Sequence, residues 1–238
     1  MENTTKLLIN HTFCHLMLIP AFLYGELWMF VASFFWWYVV AIVAISGGYH
    51  RYYSHNSFKA GKWYPWAVNI LGMFAGAGPA MTWAATHRQH HAHSDTELDP
   101  HSHSVKGIWA VYVNTWGYGF KIKRRFIKRL LQDKVLRWFH KYYFHHNVAI
   151  IVVFTAIDPM LMIFGYAMPV VFAFHGYGIL NILGHRGAQP NNSWVANILT
   201  AGEGWHRNHH RRAGSYEIGQ KWWEFDPTKW FIKLIKTN

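Results

Sequence analysis

The chain has 238 residues, enough for one substantial domain, and 52% of them are hydrophobic. Its single cysteine, Cys14, excludes a disulfide framework and a cysteine-rich zinc or iron–sulfur site. The formal net charge of +12 would suit nucleic acid, but its distribution excludes that reading: the basic residues gather at 121–129, at Lys134, Arg137 and Lys141, at 207–212 and in the tail to Lys236, beside long apolar blocks. Such juxtamembrane cations mark the cytoplasmic side of a bilayer and can hold anionic lipid headgroups.

In chain order, the first apolar block runs from Leu7 to His50 without a Lys or Arg and with one acid, Glu26. A crossing helix needs about 20 mainly apolar residues, so the block is predicted to hold two, 7–23 and 27–45, with Glu26 at the turn. Cys14 lies inside the first as a small buried residue. The second span delivers Gly47-Gly48-Tyr49-His50 to the cytoplasmic boundary. A third apolar stretch, 63–85, contains Pro65, Gly72, Gly76, Gly78 and Pro79. Were it to cross, His87 would emerge opposite His50, so it is predicted to be re-entrant or interfacial, where broken backbone is tolerated against protein. The loop of His93, His101 and His103 with Asp95, Glu97 and Asp99 reads as solvated, and 121–141 as an amphipathic surface segment.

A second block, Tyr142 to His185, again lacks Lys and Arg and has one acid, Asp158. It is predicted to form spans 142–157 and 160–180 around Asp158-Pro159. The expected fold is all-α: one domain over 1–238, with four transmembrane helices in two hairpins (about 7–46 and 142–182) under a cytosolic helical cap (about 47–141 and 185–238). Both termini and the histidine-rich face are expected on the cytoplasmic side. Trp63, Trp66, Trp109, Trp116, Trp138, Trp222, Trp223 and Trp230 are assigned to an interfacial aromatic belt.

Nine of the 18 histidines fall into four groups: His50-x4-His55, His87-x2-His90-His91, Asn181-x3-His185 and His206-x2-His209-His210. Neutral imidazole is a good ligand for iron, zinc or copper, and this pattern points to a polynuclear metal centre beside a lipid-like substrate. Helical residues four apart share a face, so His87 and His91 approach one metal while His90 diverges; His206, His210 and His209 repeat that arrangement. Asn181 and His185 also share a face. His50 and His55 are five apart, so their convergence requires the helix to end or bend near Tyr52-Tyr53-Ser54. His145, His146 and His175 read as packing or interfacial residues.

With His50-Arg51-Tyr52-Tyr53-Ser54-His55, His87-Arg88-Gln89-His90-His91 and the Gly202–His210 run Gly-Glu-Gly-Trp-His-Arg-Asn-His-His, the chain resembles the integral-membrane fatty-acyl desaturases of the stearoyl, Δ9 type. Asn181-Ile182-Leu183-Gly184-His185 and the stretch from Gly219 to Pro227 extend the resemblance from about residue 15 to 236. It implies a tunnel for the acyl chain and two iron ions. One would be held by His50, His55, His87, His91 and His209, the other by His90, His185, His206 and His210, with Asn181 acting through a water. It implies removal of two hydrogens from a saturated chain carried by CoA, acyl carrier protein or a glycerolipid. A separate electron donor, ferredoxin or cytochrome b5, would supply two electrons. Three arginines, Arg207, Arg211 and Arg212, crowd the third box with positive charge, and the resemblance leaves their effect on substrate or donor choice open. A membrane di-iron hydroxylase of an alkane, fatty acid or sterol would share the histidine chemistry. A metal transporter would instead need ligands along a crossing route.

Overall fold

A computed structural model describes residues 3–115 and 121–237, so Trp116 lies outside the described residues. The first apolar block forms two long helices, Thr4–Tyr24 and Leu27–Ser54, joined through Gly25 and Glu26. That turn needs glycine, because a Cβ at Gly25 would collide with the Ala21 carbonyl and the Phe164 ring. A third helix long and apolar enough to cross a membrane is Pro159–Gly184.

Three such helices are found among the described residues, and the expectation of four is corrected. The remaining member of the second hairpin, Lys134–Ile157, is helical over 24 residues. Its first thirteen residues carry Lys134, Arg137, His140, Lys141, His145 and His146, and Asn147 follows. The run free of charged residues, His and Asn is only 148–157. At 1.5 Å per residue it covers about 15 Å, roughly half of a bilayer's hydrocarbon core. Absence of Lys and Arg after residue 141 misled the sequence reading, because histidine and asparagine are also costly in lipid.

Polar staples join the helices. The Tyr166 hydroxyl is hydrogen-bonded to Asn10 at 2.9 Å and Asn147 at 3.0 Å, linking three helices at one buried point. Trp36 donates to the Gly165 carbonyl at 3.0 Å, and Trp37 to that of Leu199 at 3.2 Å. Each bond satisfies a polar group that would otherwise be stranded.

The 63–85 stretch is broken. Helix Tyr64–Gly72 ends in a tight turn at Met73–Ala75, and Gly76 and Gly78 adopt φ of 61° and 81° before helix Ala80–His93 begins. Glycine suits that left-handed backbone, and at Gly76 a Cβ would also meet Val170 and His11. Among the described residues the fold is all-α apart from a two-residue antiparallel pairing of Lys59–Ala60 with Lys236–Thr237, which fastens 236–237 beside the first histidine box. The seven described tryptophans of the predicted belt are all exposed.

Candidate metal centre

The first box converges by widening its helix. Residues Ala41–Ser54 are wound as a π-helix, and the His55 amide donates to the His50 carbonyl at 3.2 Å. In an i→i+5 ladder, residues five apart fall on one face, and the two imidazole centroids sit 4.9 Å apart. Such π segments are frequent at functional sites. The five-residue spacing predicts an end or bend near Tyr52-Tyr53-Ser54; the helix does end at His55, and its wider winding brings the two rings together. Arg88, from the second box, donates to the Ser54 carbonyl at 2.9 Å and the Tyr53 carbonyl at 2.6 Å. One guanidinium thus caps the first box's helix and locks the two boxes together.

The second box lies on Ala80–His93, an ordinary α-helix, so His87 and His91 meet at 4.6 Å between centroids while His90 faces a different neighbourhood. The third box occupies the short helix His206–Arg211. His185 comes directly after the last residue of the third spanning helix, Gly184, where a Cβ would lie 2.9 Å from the His206 ring. Glycine there lets His185 and His206 approach.

The result is two sets of converging imidazoles: His50, His55, His87, His91 and His209 in one, His90, His185, His206 and His210 in the other. Within each set the ligating atoms lie within 4.8 Å of one another. Nε2–Nε2 separations are 2.9 Å for His50–His209, 3.0 Å for His55–His87, 2.8 Å for His91–His209, 2.9 Å for His185–His206 and 3.1 Å for His206–His210. Two nitrogens each about 2.1 Å from one ion at right angles are about 3.0 Å apart. His90 Nε2 is buried without a hydrogen-bond partner, as a ligand atom facing a metal would be. The donor sets therefore fit two metal ions.

Carboxylates stand behind three of these rings. Glu203 Oε2 lies 2.6 Å from His50 Nδ1, Asp99 2.9 Å from His90 Nδ1, and Asp95 2.9 Å from His185 Nδ1. Each fixes the ring's orientation and leaves Nε2 for the metal. Glu203 also accepts from the Ser46 hydroxyl and, at 3.1 Å, from Arg51. The sequence reading missed all three. Glu203 lies inside the third-box run, and the loop of Asp95 and Asp99 is solvated only in part: residues 96–98 are exposed, whereas Asp99 is fully buried, accepting from the amides of Asp95 and His101. The available signal was the density of acids immediately after the second box.

The electrostatics suit neutral ligands. Burial, followed by the neighbouring His50 and His210, lowers His55 to about 2. Burial likewise carries His87, His206 and His209 well below the ordinary range, and lowers His91 and His210. Burial pushes the Glu203 carboxyl up, but His50 and Arg51 outweigh it and bring it to about 2. For the histidines the linkage has one sign: the unfolded chain takes up protons below about pH 6.5 while the folded chain does not, so stability is intact above that pH and falls below it. Each such histidine contributes a slope of about 1.4 kcal/mol per pH unit. Tryptophan fluorescence of metal-free protein should therefore report a steep acid transition at about pH 5–6; a native signal persisting at pH 4 would contradict this.

A cavity of about 250 Å³ runs from the imidazoles into the helices. Its wall includes Thr82, Trp83, Ala173, Tyr177 and Leu180, and it reaches Leu7 at the start of the first helix. Asn181 belongs to neither imidazole set; it lines this cavity together with His90 and His206. His101, which the sequence reading set aside, lines it as well, 5.2 Å from the His90 ring. His145, His146 and His175 belong to neither imidazole set.

The fatty acid desaturase family model matches residues 26–233. An sn-1 stearoyl-lipid 9-desaturase of Anabaena variabilis is 30% identical over 234 residues, covering 89% of this chain and 86% of its own. The sn-1 stearoyl-lipid 9-desaturase of Synechocystis sp. is 32% identical, covering 94% and 74%. An acyl-CoA C20 Δ5-desaturase of Anemone leveillei is 30% identical, covering 86% and 73%. The chain thus belongs to the fatty acid desaturase family, as an O2-dependent, di-iron, histidine-box membrane oxidoreductase acting on an acyl chain.

Proposed function

We propose that the protein introduces a cis double bond at Δ9 of a saturated acyl chain. His50, His55, His87, His91 and His209 hold one iron; His90, His185, His206 and His210 hold the other, with Asn181 contributing through a water. The observation that carries this reading is the division of nine imidazoles into sets of five and four, each braced by a buried carboxylate. Iron bound there supplies the O2 activation and hydrogen abstraction that no side chain can perform.

The protein's own residues bind and orient. Ala173, Trp83, Tyr177 and Leu180 line an apolar cavity that holds the chain and excludes bulk water, with one methylene pair opposite the imidazole sets. Glu203, Asp99 and Asp95 keep three rings from turning away. Δ9 is supported by two relatives whose names specify it. The carrier is CoA, acyl carrier protein or a glycerolipid; the names of the same relatives support a lipid-borne chain and that of the Anemone relative acyl-CoA.

The metal face and both termini lie on the cytoplasmic side. Supporting this, the helices Leu27–Ser54 and Pro159–Gly184 both end at the imidazoles, Thr4 lines the same cavity, and Lys236–Thr237 pairs beside the first box. Basic residues collect there, whereas the far turns carry Glu26 and Asp158. A reduced ferredoxin or cytochrome b5 supplies the electrons.

Expression in a desaturase-deficient host, with acyl profiling and double-bond localisation, tests the assignment. A new cis-Δ9 product is expected, and a double bond elsewhere would overturn the position. Ala173, almost fully buried in the cavity wall, offers a companion prediction. Ala173→Phe should cut the yield from the longest accepted chain relative to a shorter one by at least about tenfold, at unchanged iron content. An unchanged ratio would remove the cavity from the acyl path.

A further inference from the structure

We propose that the arginines flanking the second imidazole set form the docking face for an acidic one-electron carrier protein, and that electrons enter through that set. The inference rests on the proposed need for an external protein donor. Desaturation converts a –CH2–CH2– unit, O2, two electrons and two protons into –CH=CH– and two waters. Two reduced carriers must therefore each be oxidised by one electron per turnover, close to the metal.

The two imidazole sets differ in the residue immediately C-terminal to each ligand. Arg186 is next to His185, Arg207 to His206, and Arg211 to His210, with Arg212 beyond it. Three of the four members of the second set thus carry an arginine one residue outward, and all four arginines are exposed. The equivalents in the first set are different: Arg51 is buried in an ion-pair network and Arg88 is spent on carbonyls of the first box. Among the described residues, no carboxylate pairs with Arg186, Arg207, Arg211 or Arg212. The nearby acids are engaged, Asp95 with His185 and Glu224 with Asn208.

The backbone groups these arginines in space. The Arg207 amide donates to Asn192 at 3.0 Å, and Asn191 donates to the Arg186 carbonyl at 2.6 Å, so the 186–192 loop lies against the third-box helix. His210 itself is only partly buried at this face. A carrier seated on the arginines would stand one residue from three metal-facing rings. Unpaired guanidinium groups match carboxylates in bidentate geometry and steer an oppositely charged partner. Their attraction is screened over about 8 Å at physiological ionic strength.

The test uses the full-length protein loaded with iron, comparing wild type with Arg207→Glu/Arg211→Glu. Turnover is driven by an acidic [2Fe–2S] ferredoxin and, separately, by cytochrome b5, each kept reduced by its reductase. In parallel, enzyme reduced by dithionite is mixed with acyl substrate and O2 for a single turnover. The expected result is a carrier-driven rate at limiting carrier reduced at least about tenfold, with a weaker salt dependence, and a single-turnover olefin yield within twofold of wild type. A variant unchanged with the carrier, or one that loses both activities together, overturns the docking face. A wild type that forms olefin with dithionite but with neither carrier overturns the partner class, whereas a wild type that forms none with dithionite contradicts desaturation itself.

Discussion

His206→Ala is expected to reduce desaturation at least about 100-fold, because loss of a mere supporting partner to a metal ligand already costs about 10–100-fold. His206 sits at the centre of the second set, 2.9 Å from His185 and 3.1 Å from His210 between ring nitrogens, and it is buried. Without it only three imidazoles remain in that set, and the second iron should be lost while the first is retained. Metal analysis of the purified variant should read about one iron per chain against two, with unchanged helix content. A variant holding two irons and wild-type turnover would remove His206 from the ligand set. Asp99→Asn supplies the graded comparison, expected to fall within the milder range because His90 keeps its ring and loses only its carboxylate partner.

Asp226→Asn is expected to be the most destabilising change in the cap. Asp226 is fully buried and accepts from five donors: two nitrogens of Arg51 at 3.0 and 3.1 Å, and the amides of Ile218, Gly219 and Lys229 at 3.1, 3.1 and 2.9 Å. It joins the first box, the turn after the third and the start of helix Pro227–Ile235. An asparagine would aim its own N–H groups at donors and leave the buried Arg51 with Glu203 as its only anion. Removing one partner of a buried ion pair costs about 3–5 kcal/mol, a large share of a total stability of about 5–15 kcal/mol. Unfolding in a denaturant series, followed by tryptophan fluorescence, should show that loss; less than about 1 kcal/mol would mean the network contributes as little as a surface pair.

Periodicity and charge gaps made the spans at 7–23 and 27–45 legible, and the glycines and prolines of 63–85 correctly argued against a continuous crossing helix. The convergence of His87 with His91 and of His206 with His210 was legible because i,i+4 spacing is a local property of a helix. What stayed hidden depended on tertiary structure or on departures from that geometry. The π-winding that unites His50 with His55 leaves no unambiguous sequence mark. Asp95 and Asp99 read as solvated because their burial arises from contacts with His185 and His90, which are distant in the chain or brought round by the fold. The excess spanning helix came from equating lack of formal charge with lipid compatibility across His145, His146 and Asn147. Nothing local to Arg51 signals its partners at 203 and 226.

The most direct test is single turnover of chemically reduced, iron-loaded protein with a saturated acyl substrate under 18O2, with mass spectrometry of product and water. Desaturation predicts an olefin free of 18O, with the label recovered in water. An acyl product carrying 18O would contradict it and identify the centre as a hydroxylase.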